Sequence, residues 1–429
     1  MRLKLRSTRA AWATAAVLMT LVAVLFYANL TGGDEHLERP IPHQYPACSS
    51  QFQRTLSDLL GPPAVHGNRV TALLNGDQAF PAMLAAIRSA RQSVDFEGYI
   101  FWSGKIGQTF ADAFAERARA GVPTHVVVDW LGSTKLSDDL VNEMRAAGVQ
   151  VVKYRPVRWY DMDRFNKRDH RKLLIVDGRI GFIGGMGLAD PFAGHAQDKH
   201  HWRDSQFRVE GPVVAQMQSD FLDNWLETGN PLLDGPAYFP VPDSAGPQVA
   251  QAVRSSPGGG YERLRLMYLL AIASATRSIL IANSYFVPNN LAVAMLVEAR
   301  RRGVDVQIVV PGPILDAQIV RRASTAKWGP LLEAGVKIYE YQPTMYHTKV
   351  MVVDDCWVSV GSTNFDNRSF RLNDESNLNV FDEGFAREQA KVFNDDRARS
   401  RQVLLEQWRH RPITERLEEW VGRMMRHQL

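Results

Sequence analysis

Two short stretches carry the side chains that phosphodiester chemistry needs. His170-Arg171-Lys172-Leu173-Leu174-Ile175-Val176-Asp177 is matched by His347-Thr348-Lys349-Val350-Met351-Val352-Val353-Asp354, so both obey H-x-K-x4-D. In each, six further residues lead to a small pair, Gly184-Gly185 and Gly361-Ser362. Residues two apart on a strand point to one face, so an imidazole and an ammonium can converge on one anion. The apolar run after each Lys predicts a core strand. Small residues at the end of the next strand leave room for a ligand against the backbone. Two Lys can neutralise the non-bridging oxygens of one phosphodiester and the charge that gathers there in the transition state. One imidazole can attack phosphorus and split the displacement into two steps. The other can protonate the departing alkoxide, then deprotonate the incoming alcohol or water. A lone H-x-K is an ordinary surface pattern, whereas two at matching places in a repeat point to one shared site.

The elements that position these residues also come twice. Ala86-Ile87-Arg88-Ser89-Ala90 recurs as Ala271-Ile272-Ala273-Ser274-Ala275, followed by the apolar runs Val94–Phe101 and Ile279–Val287. Helical stretches then close on Ala-Gly-Val (Ala120–Val122) and Arg-Gly-Val (Arg302–Val304), before His125–Asp129 and Val306–Val310. Ala147-Gly148-Val149 and Ala334-Gly335-Val336 form a third pair. Glycine ahead of a β-branched run is a helix stop and strand start, and alternating strands and helices predict an α/β core in each copy. The expected layout is a basic leader and anchor over 1–35, a spacer over 36–65 and a first half over 66–240. A linker over 241–260, rich in Pro, Gly and Ser, and a second half over 261–429 follow. The tail beyond Arg397, with Trp408, Leu417, Trp420, Val421 and Met424 among charges, predicts an amphipathic helix packed on the body.

Of 429 residues, 45% are hydrophobic and 22% charged, which suits ordered globular domains and excludes wholesale disorder or a disulfide scaffold. The net charge of +4 sits in the leader, where Arg2, Lys4, Arg6 and Arg9 have no acid among them. The remainder is balanced, which argues against a generic nucleic-acid binder. Ala11–Leu30 carries no charge. At 1.5 Å per residue it is long enough for a bilayer core of roughly 30 Å, and it reads as a single-pass anchor rather than a cleaved signal. With basic residues before it and Asp34-Glu35 after it, the body is expected on the extracytoplasmic side. Cys48 and Cys356 are the two cysteines; the surroundings of Cys356 read as a buried strand, which speaks against a disulfide.

The chain resembles the phospholipase D superfamily, whose duplicated HKD motif these residues match, and within it the cardiolipin synthases. Trp202-Arg203-Asp204, Val209-Glu210-Gly211-Pro212, Tyr285-Phe286-Val287-Pro288 and the long run Gly361–Asn373 support that subgroup. The resemblance implies two tandem phospholipase D-like α/β halves, central sheets face to face and the site at their seam. It implies His170 as nucleophile and His347 as general acid/base. Lys172, Lys349 and Asn364 would hold the phosphate, Gly185 and Ser362 would line the substrate, and Glu375 would orient an imidazole. Asp177 and Asp354 complete the catalytic motifs in supporting, structural roles. The family's Asn at the counterpart of Asn364 is Gly187 here, and one anchor replaces the two many relatives carry.

The implied reaction moves a phosphatidyl group from one phosphatidylglycerol to another, giving cardiolipin and glycerol. It needs no cofactor or metal, a membrane and an anionic phospholipid, no nucleic acid, and one chain as a monomer. Water as acceptor would make the enzyme a phospholipase D; nuclease activity and an inert scaffold are more distant alternatives. Three other signals stand apart from these motifs. Lys153–Arg179 is rich in Lys and Arg, with Trp159, Tyr160 and Phe165 interleaved, and suits an anionic lipid surface. His195, His200, His201 and Asp198 fit no established metal spacing. Glu97 could tune one His from a strand end, or face solvent.

Overall fold

The computed structural model describes residues 12–21, 24, 37–156, 166–257 and 262–412. Runs rich in Val and Ile form the strands, since branching at Cβ favours extended backbone. In chain order these are β1 (Val65–Leu74), β2 (Val94–Gly98), β3 (Thr124–Asp129), β4 (Gln150–Tyr154), β5 (Arg168–Asp169), β6 (Lys172–Val176), β7 (Ile180–Gly184) and β8 (Ser205–Glu210). The second set comprises β9 (Gln248–Ser255), β10 (Ser278–Asn283), β11 (Asp305–Pro311), β12 (Lys337–Tyr341), β13 (Lys349–Val353), β14 (Trp357–Gly361), β15 (Asn373–Phe381) and β16 (Ser400–Gln402).

Both repeats order their strands alike. β4, β3 and β2 are parallel, and β6, β7, β8 and β1 continue antiparallel. β12, β11, β10, β13, β14, β15 and β9 repeat that pattern. The two expected sheets are joined along one edge, while their inner faces share a core. β1 and β9 each leave an open edge, and these edges pair antiparallel, so one continuous sheet crosses both repeats.

Helices Asn75–Ser89, Lys105–Arg119 and Asp138–Ala146 cover one face of the first repeat with Phe80, Ile87, Phe110, Phe114 and Met144. Arg263–Ser274, Asn290–Arg301 and Trp328–Glu333 do so for the second with Leu264, Ile272, Leu296 and Trp328. A further core is common to both repeats. It combines Val127, Ile175 and Phe207 with Leu280, Val352 and Val360, together with Phe221 and Trp225 of helix Val214–Glu227 and Phe385 and Phe393 of helix Glu383–Ala398. Full burial of a large apolar side chain contributes about 1.5–3 kcal/mol, so this shared core fixes the repeats against each other.

Several boundaries differ from the sequence expectation. The stretch read as a linker contains β9, the counterpart of β1. The spacer is a strap on the second repeat: Arg265 Nη2 donates to the Leu37 carbonyl (2.8 Å), and the Ala47 amide donates to that of Ser274 (2.9 Å). Helix Ser50–Leu60 then buries Phe52, Leu56 and Leu60 in the second repeat's core. Cys356 lies in the turn between β13 and β14 rather than within a strand, and it forms a disulfide with Cys48 (Cα–Cα 5.6 Å), correcting the expectation of free thiols. The described part of the tail is helix Glu383–Ala398, β16 and the short helix Leu405–Arg409, not one long helix. Trp408 packs on the second repeat and donates from Nε1 to the Thr325 carbonyl (2.8 Å). Leu417, Trp420, Val421 and Met424 lie outside the described residues. Among the described residues no helix is long and apolar enough to cross a membrane, and most of the flanks of Ala11–Leu30 lie outside them.

Candidate active site

Lys172 and Lys349 open β6 and β13, whose remaining residues are buried and fix the start of each strand. In both repeats the Lys Nζ donates to the carbonyl of the His two residues earlier, at 2.6 Å. The sequence thus builds the same His–Lys corner twice, and both corners reach one cavity of about 430 Å³. Its lining includes His170, Lys172, His347, Asn364, Arg168, Arg368, Tyr99, Ile100, Tyr285 and Asp316.

Each histidine is oriented by the opposite repeat. The His170 amide donates to the Asp374 carbonyl (2.8 Å), and its Nδ1 lies 2.9 and 3.0 Å from the two Glu375 oxygens. Reciprocally, the His347 amide donates to the Arg203 carbonyl (2.8 Å), and Nδ1 lies 2.7 Å from Asp204 Oδ2. A carboxylate on Nδ1 selects the tautomer that leaves Nε2 for the reacting atom. Lys349 Nζ is 3.1 Å from both ring nitrogens of His347. Tyr99 packs edge-on against His170, and Trp202 and Phe192 pack against His347.

Burial and the neighbouring Lys172 hold His170 well below the usual imidazole range, and burial with Lys349 lowers His347. His170 is therefore neutral in the resting site at pH 7, whereas Asp204 on Nδ1 opposes the lowering of His347. Burial also lowers Lys172 to about 8 and Lys349 to about 7, and it raises Glu375 to about 7. An anionic diester placed between the two ammonium groups favours their charged forms and so binds where they converge.

The other expected residues divide. Asn364 lines the cavity, with its Oδ1 accepting from Ser284 Oγ (2.8 Å). Ser362 acts one layer back, donating from Oγ to Glu375. Gly185 leaves room for Asp204: a side chain would put its first carbon 2.3 Å from Asp204 Oδ1. Both positions thus serve a carboxylate rather than touching substrate directly. Asp177 and Asp354 are not among the residues that line the cavity. Asp177 accepts from the amides of Arg91, Gln92 and Ser93, and Asp354 from those of Thr276, Arg277 and Ser278. They tie each β-hairpin turn to the start of β2 and β10. At Gly187, the counterpart of Asn364, a side chain would meet Ile100 at 2.6 Å, so an apolar residue fills the place of a second amide.

Glu97 neither faces solvent nor touches a histidine. It is buried, accepts from Asn224 and lies 4.0 Å from Arg171 Nη1. Arg171 is also buried and donates to the Asp220 carbonyl (2.6 Å), Asp223 (2.9 Å) and Ser256 Oγ (2.8 Å). Arg155 reaches across to Asp374 (2.9 Å), beside the carbonyl that holds His170. Sequence reasoning missed Asp204 as a partner, although its position mirrors Glu375. Gly185 N donates to Ser205 O just as Ser362 N donates to Ser376 O, so each acid precedes the serine facing the small-residue pair. Arg168, Arg368, Tyr99, Asp316 and Asp366 were also missed. His201 pairs with Asp198 (2.9 Å), and no metal-binding group of His, Cys, Asp and Glu occurs among the described residues. Trp159, Tyr160 and Phe165 lie outside them.

Comparison with known proteins agrees with this geometry. A family model described as cardiolipin synthase, PLD-like domain, matches residues 83–225 and 268–397, once per repeat. The chain is 35% identical over 367 residues to a cardiolipin synthase of Geobacillus kaustophilus (strain HTA426), covering 85% of this chain and 73% of that protein. It is also 35% identical over 377 residues to cardiolipin synthase A of Pseudomonas putida (strain GB-1), covering 87% and 77%. In fold it resembles the crystal structure of a phosphatidylserine synthase from Haemophilus influenzae Rd KW20, with a TM-score of 0.66, 13% identity, and coverage of 89% of this chain and 100% of that one. With a two-histidine cavity built by both repeats and a family match on each of them, the chain belongs to the cardiolipin synthase family of phospholipase D-like proteins.

Proposed function

We propose that the protein is a phosphatidyltransferase that makes cardiolipin from two molecules of phosphatidylglycerol. The observation that carries this reading is the single cavity holding two histidines, each with its Nδ1 on a carboxylate of the opposite repeat. His170 Nε2 attacks phosphorus, and the bond to the glycerol oxygen breaks as the imidazolium form of His347 protonates that oxygen from Nε2, leaving a neutral ring. Lys172, Lys349 and Asn364 hold the non-bridging oxygens, where negative charge grows. The hydroxyl of a second phosphatidylglycerol then loses its proton to His347 and attacks phosphorus. The bond between phosphorus and His170 breaks and cardiolipin leaves.

Ala11–Leu30 acts as a single-pass anchor in this reading, with both phospholipase D-like halves on the extracytoplasmic side. The basic leader supports that orientation, and a disulfide suits an oxidising compartment. One chain supplies both histidines, which suits a monomer.

The test is mass spectrometry of lipids after purified protein meets phosphatidylglycerol in detergent micelles. Cardiolipin and glycerol are expected from the wild type and neither from His170→Ala or His347→Ala. Acid-quenched protein should carry phosphate on the peptide containing His170. Phosphatidic acid as the sole lipid product would identify water as the acceptor and overturn the transferase. A phosphopeptide containing His347 would exchange the two roles.

A further inference from the structure

The cavity carries more positive charge than one phosphodiester requires. Beyond Lys172, two guanidinium groups line it, Arg168 from the first repeat and Arg368 from the second, with the acids Asp316 and Asp366 among the other lining residues. Arg168 is buried, donates from Nη2 to the Arg155 carbonyl (3.1 Å) and lies 3.7 Å from Asp129. Arg368 Nη1 donates to Asn166 Oδ1 (2.9 Å). Burial and the neighbouring Arg168 press on the Arg368 charge. An anion beside both would relieve that repulsion, and a guanidinium fork suits phosphate oxygens.

The repeats are unequal here. Bridges Phe101–Leu188 and Phe286–Phe365 place Ala189-Asp190-Pro191-Phe192 opposite Asp366-Asn367-Arg368-Ser369, and the first of these offers no cation. Ile100 fills the space beside Gly187 in the first repeat, whereas Asn364, Arg368 and Asn373 line the cavity from the second. Arg168 in turn has Met345 at its counterpart, so neither guanidinium has a repeat-related partner, and a symmetric diester grip would not need them.

We propose that Arg368, with Arg168, forms a second anion subsite that holds the acceptor's own phosphodiester while its glycerol hydroxyl attacks the phosphorus on His170. This rests on the transferase reading and names what selects the acceptor. A phosphatidylglycerol acceptor carries its phosphate one glycerol away from the attacking oxygen, so two anions must share the cavity during transfer. Free glycerol or water brings only the reacting one.

The test compares two reactions of the same intermediate in micelles: cardiolipin formation, and exchange of labelled glycerol into phosphatidylglycerol. Arg368→Gln should lower the ratio of the first to the second about tenfold, as loss of one charge-assisted hydrogen bond implies, and Arg368→Lys should recover part of it. An unchanged ratio would overturn the proposal and assign Arg368 to the reacting phosphate. Should the Gln variant be inactive in both reactions, the wild type decides. Monoacylglycerol, which lacks a phosphate, should show an acceptor KM about tenfold above that of phosphatidylglycerol, and equal values would overturn the proposal. A wild type that exchanges glycerol but makes no cardiolipin would instead defeat the transferase reading itself.

Discussion

At the scale of single residues, burial gives this site its chemistry and its pH dependence. His170 is kept neutral, as a nucleophile requires, while Lys349 and Lys172 titrate at about 7 and about 8. The donor diester needs both ammonium charges, and these are lost as pH rises through those values. The free-enzyme quantity kcat/KM for phosphatidylglycerol should therefore fall above about pH 7, where Lys349 first loses its charge, far below an ordinary lysine near 10.4. The acid limb should lie below 6.5, where the lowered His170 imidazole takes up a proton and can no longer attack. A rate profile between pH 5 and 10 checks both limbs; an alkaline limb near 10 would contradict the burial effect. The carboxylates act through the rings they hold. Glu375→Gln and Asp204→Asn keep the shape but let the amide favour the wrong tautomer, which should lower kcat by roughly 10²–10⁴-fold. In quenched single turnovers Glu375→Gln should reduce phosphorylation of His170. Wild-type turnover in either variant would remove its carboxylate from the mechanism.

At the scale of elements, the motif's last residue is an architectural one. Asp177 has φ 55° and Asp354 φ 53°, left-handed conformations that Asp tolerates better than most side chains. From there each carboxylate binds three successive amides at the start of the neighbouring strand. Asp177→Ala removes acceptors from three amides, of which that of Ser93 is part-buried, and should cost about 0.5–1.5 kcal/mol of stability. Thermal unfolding should show that loss, while the rate per folded molecule at 25 °C stays within a few-fold of wild type. A collapse of kcat without a change in melting would place Asp177 in the chemistry after all. The repeated H-x-K pattern, the β-branched runs and the glycine stops were legible because each is local: a strand period, a helix end, a spacing. The partners of the histidines were harder. Asp204 and Glu375 come from the opposite repeat, and their distances from the preceding H-x-K differ, so no fixed spacing marks them. Likewise nothing local in β1 or β9 indicates that these edges join each other.

At the scale of the molecule, the chain begins by strapping itself to its second repeat before building the first. The strap follows residue 36 and is fastened by the Leu37 and Ala47 backbone contacts, by Phe52 against Trp357 and by the Cys48–Cys356 bridge. That bridge links residues 308 apart, so in a chain-entropy account it restrains a long loop of the unfolded ensemble. Such a bridge was invisible to local sequence patterns because Cys356 sits in a three-residue turn flanked by two buried strands. Its removal should cost about 2–5 kcal/mol, without touching the cavity, whose lining contains no strap residue. Cys48→Ser with Cys356→Ser, or wild type in dithiothreitol, should therefore melt several degrees lower than the oxidised protein. Cardiolipin formation at 25 °C should persist in both. Melting curves that coincide with and without reductant would show that the apolar strap contacts alone hold this end of the chain. Loss of activity at temperatures where the reduced protein remains folded would mean that the strap shapes the site as well as securing the fold.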